Sequence, residues 1–107
     1  MLGQIITVTV DRPLGSVHPK HKNIVYPINY GYIENLLGGD GEEQDAYVVG
    51  VNEPLKSFTG VVVAIIKRYD DIESKLVVAP TGSSFTKDQI DELVYFQEQY
   101  FNYEIIM

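Results

Sequence analysis

Four carboxylates lie within six residues in the loop Asp40–Asp45, whose sequence is DGEEQD. Like charges this close repel one another, so folding alone gives no reason to gather them on a turn that contains glycine. A bound cation would remove the repulsion, and carboxylate oxygens are the ligands that divalent ions such as magnesium prefer. Asp40, Glu42 and Asp45 could share one ion if the loop turns directly into the apolar segment Ala46–Val49. A solvated acidic turn is the alternative, and the loop alone leaves both open.

Other charged and aromatic residues are candidates because of the loops that contain them. Carboxylates recur in a second acidic turn and at the end of the first predicted strand: Asp70, Asp71, Glu73 and Asp11. Phosphate chemistry at a metal site needs cations that hold the phosphate oxygens not covered by metal. Lys20 and Lys75 could do this, and the hydroxyl of Tyr30 could donate to phosphate. Each of these residues could equally be ordinary surface or packing.

Two familiar kinds of metal site are excluded by spacing. The acidic loop lacks the alternate-position ligands and the closing glutamate of an EF-hand. His18 and His21 lie three residues apart, but a zinc site needs more ligands than this pair, and the chain has no cysteine.

Composition bounds the remaining possibilities. A chain of 107 residues, 45% hydrophobic, predicts one domain, 1–107, with one modest core. The formal net charge is −7, whereas a nucleic-acid-binding protein would normally present a basic face. No apolar run is long enough for a membrane span, and no signal peptide is visible. The absence of cysteine fits a reducing compartment such as the cytoplasm.

The pattern of apolar residues predicts several strands followed by one helix. The helix would span Thr86 to about Asn102, because Thr86 and Gln89 match a capping box and apolar residues then recur at helical spacing. Loops are predicted at Asp11–Asn23 and Asn35–Gly41. The predicted strands are Ile5–Val10, Asp45–Val51, Gly60–Lys67 and Lys75–Ala79. This order indicates an α+β fold or a small barrel with a packed helix.

Taken together, the motifs resemble those of the soluble family I inorganic pyrophosphatases. The most specific block is YPINYGYI at Tyr26–Ile33 followed by DGEEQD, which resembles the family's YPxNYG[YF]I and DGDPxD. Three weaker segments follow the family's order, namely Val10–Ser16, Glu73–Pro80 and the last helix with Phe96–Tyr100. Lys20 also stands nine residues after Asp11, as the matching lysine does in the family.

The resemblance implies a mainly β or α+β fold, an OB-like five-stranded β-barrel with a C-terminal helix. It implies hydrolysis of pyrophosphate to two phosphates with Mg²⁺, for which Mn²⁺ could substitute, and a homo-oligomer in the cytoplasm. Glu42 would be the catalytic residue that helps to remove a proton from the attacking water. The implied metal ligands are Asp40, Asp45, Asp70 or Asp71, Glu73 and Asp11. The implied phosphate-binding residues are Lys20, Tyr30, Lys75 and Tyr100.

The chain departs from the family pattern at four places. Glu42 replaces the middle aspartate of the loop, and the turn before Glu73 is shorter. Only His21–Val25 fill the place of a hairpin that carries a phosphate-binding arginine, for which Arg12 or Lys22 could substitute. Phe101 replaces a lysine of the last helix. These losses keep two alternatives open: hydrolysis of another small phosphate compound, or a catalytically weak protein of the same fold that binds metal or phosphate.

Overall fold

A computed structural model describes all residues, 1–107, as six β-strands and one α-helix. In chain order the elements are β1 (Ile5–Arg12), β2 (Asn29–Leu37), β3 (Glu43–Val48), β4 (Ser57–Arg68), β5 (Ser74–Ala79), α1 (Lys87–Glu98) and β6 (Tyr103–Ile106). The helix is neither long nor apolar enough to cross a membrane.

Five strands close into the predicted barrel. Their hydrogen-bonded order is β1-β2-β3-β5-β4, and pairing between β1 and β4 completes the circle. The β3–β5 pair is parallel and the other pairs are antiparallel. Strand β6 adds to the far end of β4, outside the circle. Closure leaves no free edge in the five-stranded part, which is the main advantage of a barrel for a small β domain.

The buried side chains form two clusters on opposite faces of the barrel wall. The barrel interior holds residues from all five strands, among them Val8, Val48 and Val78. The outer cluster lies between the barrel wall, α1 and β6, and Tyr47, Ile66 and Val77 belong to it. Because successive residues of a strand point to opposite faces, β2, β3, β4 and β5 each contribute to both clusters, whereas β1 contributes to the interior alone. Polar groups on the strands that line the outer cluster contact α1, as the bonds from Tyr47 and Arg68 to Glu98 show.

Two strands were not predicted from the sequence, β2 and the short β6. Asn35–Gly41 was expected to be a loop, but β2 continues to Leu37. Pairing with β3 is irregular between Ile33 and Leu37, and Asn35 has φ of 62° in the left-handed region. Asparagine tolerates this conformation better than most residues, so a bulge in the strand has the composition of a loop.

The helix begins as predicted and ends earlier than predicted. Thr86 is its N-cap, and Thr86 and Gln89 form both hydrogen bonds of the capping box. It ends at Glu98 because the Asn102 amide donates to the Asp70 carboxylate at 3.0 Å and the Asn102 carbonyl accepts from the Tyr69 amide at 2.8 Å. These contacts draw the chain to the end of β4, where it becomes β6.

Gly31 allows close approach of two strands and gives a first prediction. A Cβ at this position would lie 1.9 Å from the Thr9 carbonyl oxygen on the neighbouring β1. We expect Gly31→Ala to reduce the free energy of unfolding by about 3 kcal/mol, because backbone must move to remove the overlap. Urea denaturation measures the effect, and Gly82→Ala is a useful comparison because its Cβ would meet nothing within 4 Å and only its φ of 84° opposes it. An unchanged urea midpoint for Gly31→Ala would contradict the close approach.

Candidate active site

A cavity of about 570 Å³ opens beside the outer cluster, between the ends of the strands and the last turn of α1. Its lining is mostly polar and carries both signs of charge. The basic side chains and histidines are Arg12, His18, His21, Arg68 and Lys75, the acidic ones are Asp45 and Glu73, and the others are Asn23, Ile24, Tyr30, Gln97, Tyr100 and Phe101.

Strand alternation explains how three of these side chains reach the cavity. Asp45 is two residues before Tyr47 on β3, and Lys75 is two residues before Val77 on β5. Tyr47 and Val77 belong to the outer cluster, so Asp45 and Lys75 lie on the same face. Arg68 stands two residues after Ile66, a third member of that cluster. The charged residues therefore continue the outer cluster where it meets solvent.

Lys75 joins the two carboxylates of the cavity. Its Nζ donates to Asp45 Oδ2 at 2.7 Å and to Glu73 Oε1 at 2.8 Å. The Lys75 side chain is 4% exposed, so little water separates these charges. Tyr30 donates its hydroxyl proton to the same Asp45 oxygen at 2.9 Å. Burial, followed by the charge of Asp45, raises the pKa of Tyr30 well above its ordinary value, so the phenol remains a donor.

Arg68 is held by a fully buried carboxylate. Its Nε and Nη2 donate to the two oxygens of Glu98 at 2.9 and 2.7 Å, a bidentate pair. Tyr47 donates to Glu98 Oε2 at 2.6 Å, so both oxygens of this carboxylate are satisfied. The guanidinium carbon of Arg68 lies 3.6 Å from the centre of the Phe101 ring, and stacking closes its other side. The remaining nitrogen, Nη1, faces Glu73 at 3.3 Å and Asp71 at 3.5 Å.

A chain of hydrogen bonds joins Arg12 to the same end of α1. Arg12 Nη1 donates to the Tyr26 hydroxyl at 2.6 Å, and Tyr26 donates to Gln97 Oε1 at 3.0 Å. Gln97 Nε2 then donates to the Tyr47 hydroxyl at 2.8 Å. The last turn of α1 thus fixes Arg12 through Gln97 and Arg68 through Glu98. Arg12 is the better placed of the two cations considered as substitutes for the missing arginine, because it lines the cavity and Lys22 does not.

The segment expected to replace the family hairpin forms a very short one. Val17 and Val25 make a single bridge, and the His18 amide donates to the Ile24 carbonyl at 2.9 Å. The His18 ring accepts the amides of Lys20 and His21 at Nδ1, at 3.1 and 3.2 Å, which leaves the proton of the neutral ring on Nε2. Burial and the neighbouring Arg12 lower the pKa of His18, so the ring is a neutral donor at the cavity wall.

The two acidic loops meet beside the cavity. A Cβ on Gly39 would lie 2.4 Å from the Ile72 carbonyl oxygen, so the first loop packs directly against the second turn. Asp40 Oδ1 accepts the Glu42 amide at 3.0 Å, which makes the tip of the first loop compact. Asp40 and Glu42 are exposed and do not line the cavity.

The structure therefore brings together about half of the residues that the sequence singled out. Asp45, Glu73, Lys75, Tyr30 and Tyr100 line the cavity. Six others lie outside its lining: Asp11, Lys20, Asp40, Glu42, Asp70 and Asp71. Of these, Asp71 contacts Arg68 from the rim, whereas Asp70 binds the backbone at Asn102.

Three important residues were not identified from the sequence: Arg68, Gln97 and Glu98. A signal existed for Arg68, because the alternation of β4 places it on the same side as Ile66. An inward arginine in a buried strand needs a carboxylate partner. Nothing local in the sequence identifies Glu98 as that partner, since it lies 30 residues away on α1.

Whether a metal fits can be judged from the free oxygens. No three histidine, aspartate or glutamate side chains converge as a metal-binding group, so a cluster of ions enclosed by protein does not fit. Magnesium usually keeps several waters and is held by one or two carboxylates together with the phosphates of a substrate. Asp45 suits this arrangement, because Tyr30 and Lys75 both use Oδ2 and leave Oδ1 without a protein partner. One ion shared between Asp45 and a phosphate fits the residues present.

No protein-family model and no curated protein matches the chain. Its fold nevertheless matches solved structures of bacterial inorganic pyrophosphatases. That from Neisseria gonorrhoeae is 25% identical with a TM-score of 0.70, and the match covers 92% of this chain and 74% of the other. That from Ehrlichia chaffeensis is 18% identical with a TM-score of 0.72, and the match covers 97% of this chain and 85% of the other. That from Helicobacter pylori is 19% identical with a TM-score of 0.65, and the match covers 96% of this chain and 81% of the other. The chain therefore has the fold of the family I inorganic pyrophosphatases that its motifs resemble.

Proposed function

We propose that this protein hydrolyses inorganic pyrophosphate to two phosphates in the cavity beside α1. The observation that carries the proposal is the buried Lys75, which binds both Asp45 and Glu73 in the lining of a cavity that also contains Arg12. Cations next to carboxylates are what a phosphoryl-transfer site requires. The fold, shared with pyrophosphatases from several bacteria, supports the same substrate.

The cations have donors left for phosphate oxygens. An ammonium group has three N–H donors and Lys75 uses two of them, while Arg12 uses one of its five. In hydrolysis, water attacks one phosphorus and the bond from that phosphorus to the bridging oxygen breaks, so negative charge grows on the departing phosphate. Lys75 and Arg12 would stabilise that charge. Tyr100 and the Nε2 proton of His18 would contact the phosphate from the cavity wall.

Tyr30 has a different role in this arrangement. Its hydroxyl proton is committed to Asp45, so Tyr30 positions this carboxylate and would have to release it before donating to phosphate. Lys20 is exposed and lies outside the cavity lining. Phosphate binding by Tyr30 and Lys20 stays a prediction from the resemblance.

Mg²⁺, or Mn²⁺ in its place, is the proposed cofactor, with Asp45 Oδ1 as its ligand. When bound, such an ion would lower the pKa of a coordinated water and neutralise phosphate charge. Asp11, Asp40 and Asp70 stay predictions as further ligands, whereas Glu73 and Asp71, which the resemblance also names, already face the guanidinium of Arg68. The cytoplasmic location and the homo-oligomeric state that the resemblance implies also stay predictions.

The resemblance alone makes Glu42 the proposed base, because Glu42 is exposed and lies outside the cavity lining, and its neighbour provides a matched control. We expect Glu42→Gln to lower kcat about 10²-fold or more, which is the usual contribution of general base catalysis, and to leave KM nearly unchanged. Glu43→Gln removes the same charge from the same exposed loop and should keep wild-type kcat. Phosphate release from pyrophosphate with Mg²⁺ measures both. Equal kcat values for the two variants would remove Glu42 from the mechanism.

A second candidate function is suggested by the size and charge pattern of the cavity. A volume of about 570 Å³ is in the range of pockets for larger ligands, so another small phosphate compound could be the substrate. Both cavity carboxylates are already paired with protein cations, which would also suit a protein that binds phosphate and turns it over weakly. Phosphate release from nucleotides and sugar phosphates, measured beside pyrophosphate, separates these functions.

A further inference from the structure

Each carboxylate oxygen of Glu73 is bound by a cation of the protein. Its Oε1 accepts from Lys75 at 2.8 Å, and its Oε2 faces Arg68 Nη1 at 3.3 Å. Arg68 Nη1 also lies 3.5 Å from Asp71 Oδ2, so one guanidinium bridges two carboxylates at the edge of the cavity. A positive charge between two carboxylates reduces their mutual repulsion, as a divalent ion does in an acidic site.

Arg68 is fixed in this position. Its side chain is 4% exposed, Glu98 binds it through both oxygens, and Phe101 stacks on its face. Glu98 is itself fully buried and would lose its counter-charge if the arginine turned away. A metal ion could displace a flexible surface lysine from a carboxylate. The buried guanidinium of Arg68 is held too firmly to be displaced in this way.

We propose that Arg68 is a built-in cation that takes the place of a divalent ion at Glu73 and Asp71. Glu73, which the resemblance makes a metal ligand, is then a carboxylate held by two protein cations. Of the carboxylates that line the cavity, Asp45 alone then keeps an oxygen, Oδ1, that could bind a divalent metal. The inference deepens the proposed function, because it concerns how the same cavity is charged before phosphate enters. It does not require hydrolysis to occur.

The first test is a titration of Mn²⁺ alone into the whole protein, followed by calorimetry or by the electron paramagnetic resonance signal of free Mn²⁺. For wild type against Glu73→Gln, we expect Mn²⁺ affinities within about twofold of each other. An affinity about tenfold weaker in Glu73→Gln would show that Glu73 already ligates metal, and would overturn the proposal.

The second test removes the built-in cation. Arg68→Met alone leaves Glu98 buried and unpaired, so the variant to use is Arg68→Met with Glu98→Gln, with folding checked by circular dichroism. We expect it to bind an additional Mn²⁺ ion, and to lose that ion when Glu73→Gln is added. Lys67→Met, which removes an exposed cation from the adjacent position of β4, should bind Mn²⁺ as wild type does.

An unchanged number of bound Mn²⁺ ions in the folded double variant would overturn the proposal. If the double variant does not fold, the comparison of wild type with Glu73→Gln still decides. No phosphate is present in either titration, so their outcome does not depend on whether the protein hydrolyses pyrophosphate.

Discussion

Replacing Lys75 by methionine is expected to lower kcat/KM for pyrophosphate about 10²- to 10³-fold, the usual effect of removing one preorganised donor from a transition state. Lys75 uses two of its three N–H donors and is nearly buried, so its third donor would bind phosphate with little competition from water. The variant would also leave Asp45 and Glu73 without the cation they share. Methionine keeps most of the volume of the buried stem, so the loss should be electrostatic.

Phosphate-release kinetics measure the effect of Lys75→Met, with circular dichroism to confirm that the variant is folded. Lys67→Met is the matched control, because Lys67 is an exposed cation on β4 outside the cavity lining and should keep wild-type kinetics. A folded Lys75→Met variant with kcat/KM within about tenfold of wild type would place phosphate binding elsewhere.

Arg68→Met is expected to reduce the free energy of unfolding by about 3–5 kcal/mol, the range found when one partner of a buried ion pair is removed. Glu98 is 0% exposed and would remain as a buried carboxylate with only the Tyr47 hydroxyl to satisfy it. Stacking with Phe101 would also change. For a chain of this size such a loss is a large part of the total stability.

Urea denaturation measures the loss, and a second substitution separates its cause. Adding Glu98→Gln to Arg68→Met removes the unpaired charge, so the double variant should recover much of the stability. Recovery would show that the single variant suffers from the stranded carboxylate and not from lost packing. A double variant less stable than Arg68→Met would contradict this reading of the pair.

The sequence predicted the elements whose patterns are local. Short apolar runs, of which only Ile5–Val10 partly alternates, identified four of the five barrel strands, and the Thr86 capping box located the start of the helix. Two elements were missed for opposite reasons. The bulge at Asn35 gave β2 the composition of a loop, whereas β6 is only four residues long and follows the helix without a glycine or proline to separate them.

Site residues that belong to a family motif could be predicted from the sequence. Contacts between side chains that are far apart in the chain could not. The resemblance named Asp45, Glu73 and Lys75 as site residues. The parallel register of β3 and β5 brings Asp45 beside Lys75, and Glu73 lies immediately before β5. The resemblance could not show that Lys75 binds both carboxylates. Those contacts depend on side-chain directions on β3, on β5 and in the turn before β5, which no local pattern records.

The position of Arg12 shows the same limit. Arg12 could be named only as one possible substitute for a missing arginine. Its position depends on Tyr26, which in turn depends on Gln97 at the far end of the chain. A hydrogen-bond chain that links residues more than seventy positions apart is a property of the fold.

The carboxylates of the acidic loop, which first suggested a metal, lie in two different environments. Asp45 lies at the start of β3 and enters the cavity, while Asp40 and Glu42 remain at the exposed tip. The two carboxylates that line the cavity, Asp45 and Glu73, form ion pairs with Lys75 and Arg68, which are cations of the protein itself.

The central claim is that pyrophosphate is split in the cavity that contains Lys75. The most direct measurement is a ³¹P NMR time course of pyrophosphate with Mg²⁺ and the wild-type protein, with Lys75→Met purified in the same way. We predict that the pyrophosphate signal is replaced by a single phosphate signal with wild type, that a chelator stops the conversion, and that Lys75→Met converts far more slowly. A pyrophosphate signal that persists with wild type, or conversion at the same rate by folded Lys75→Met, would contradict the account.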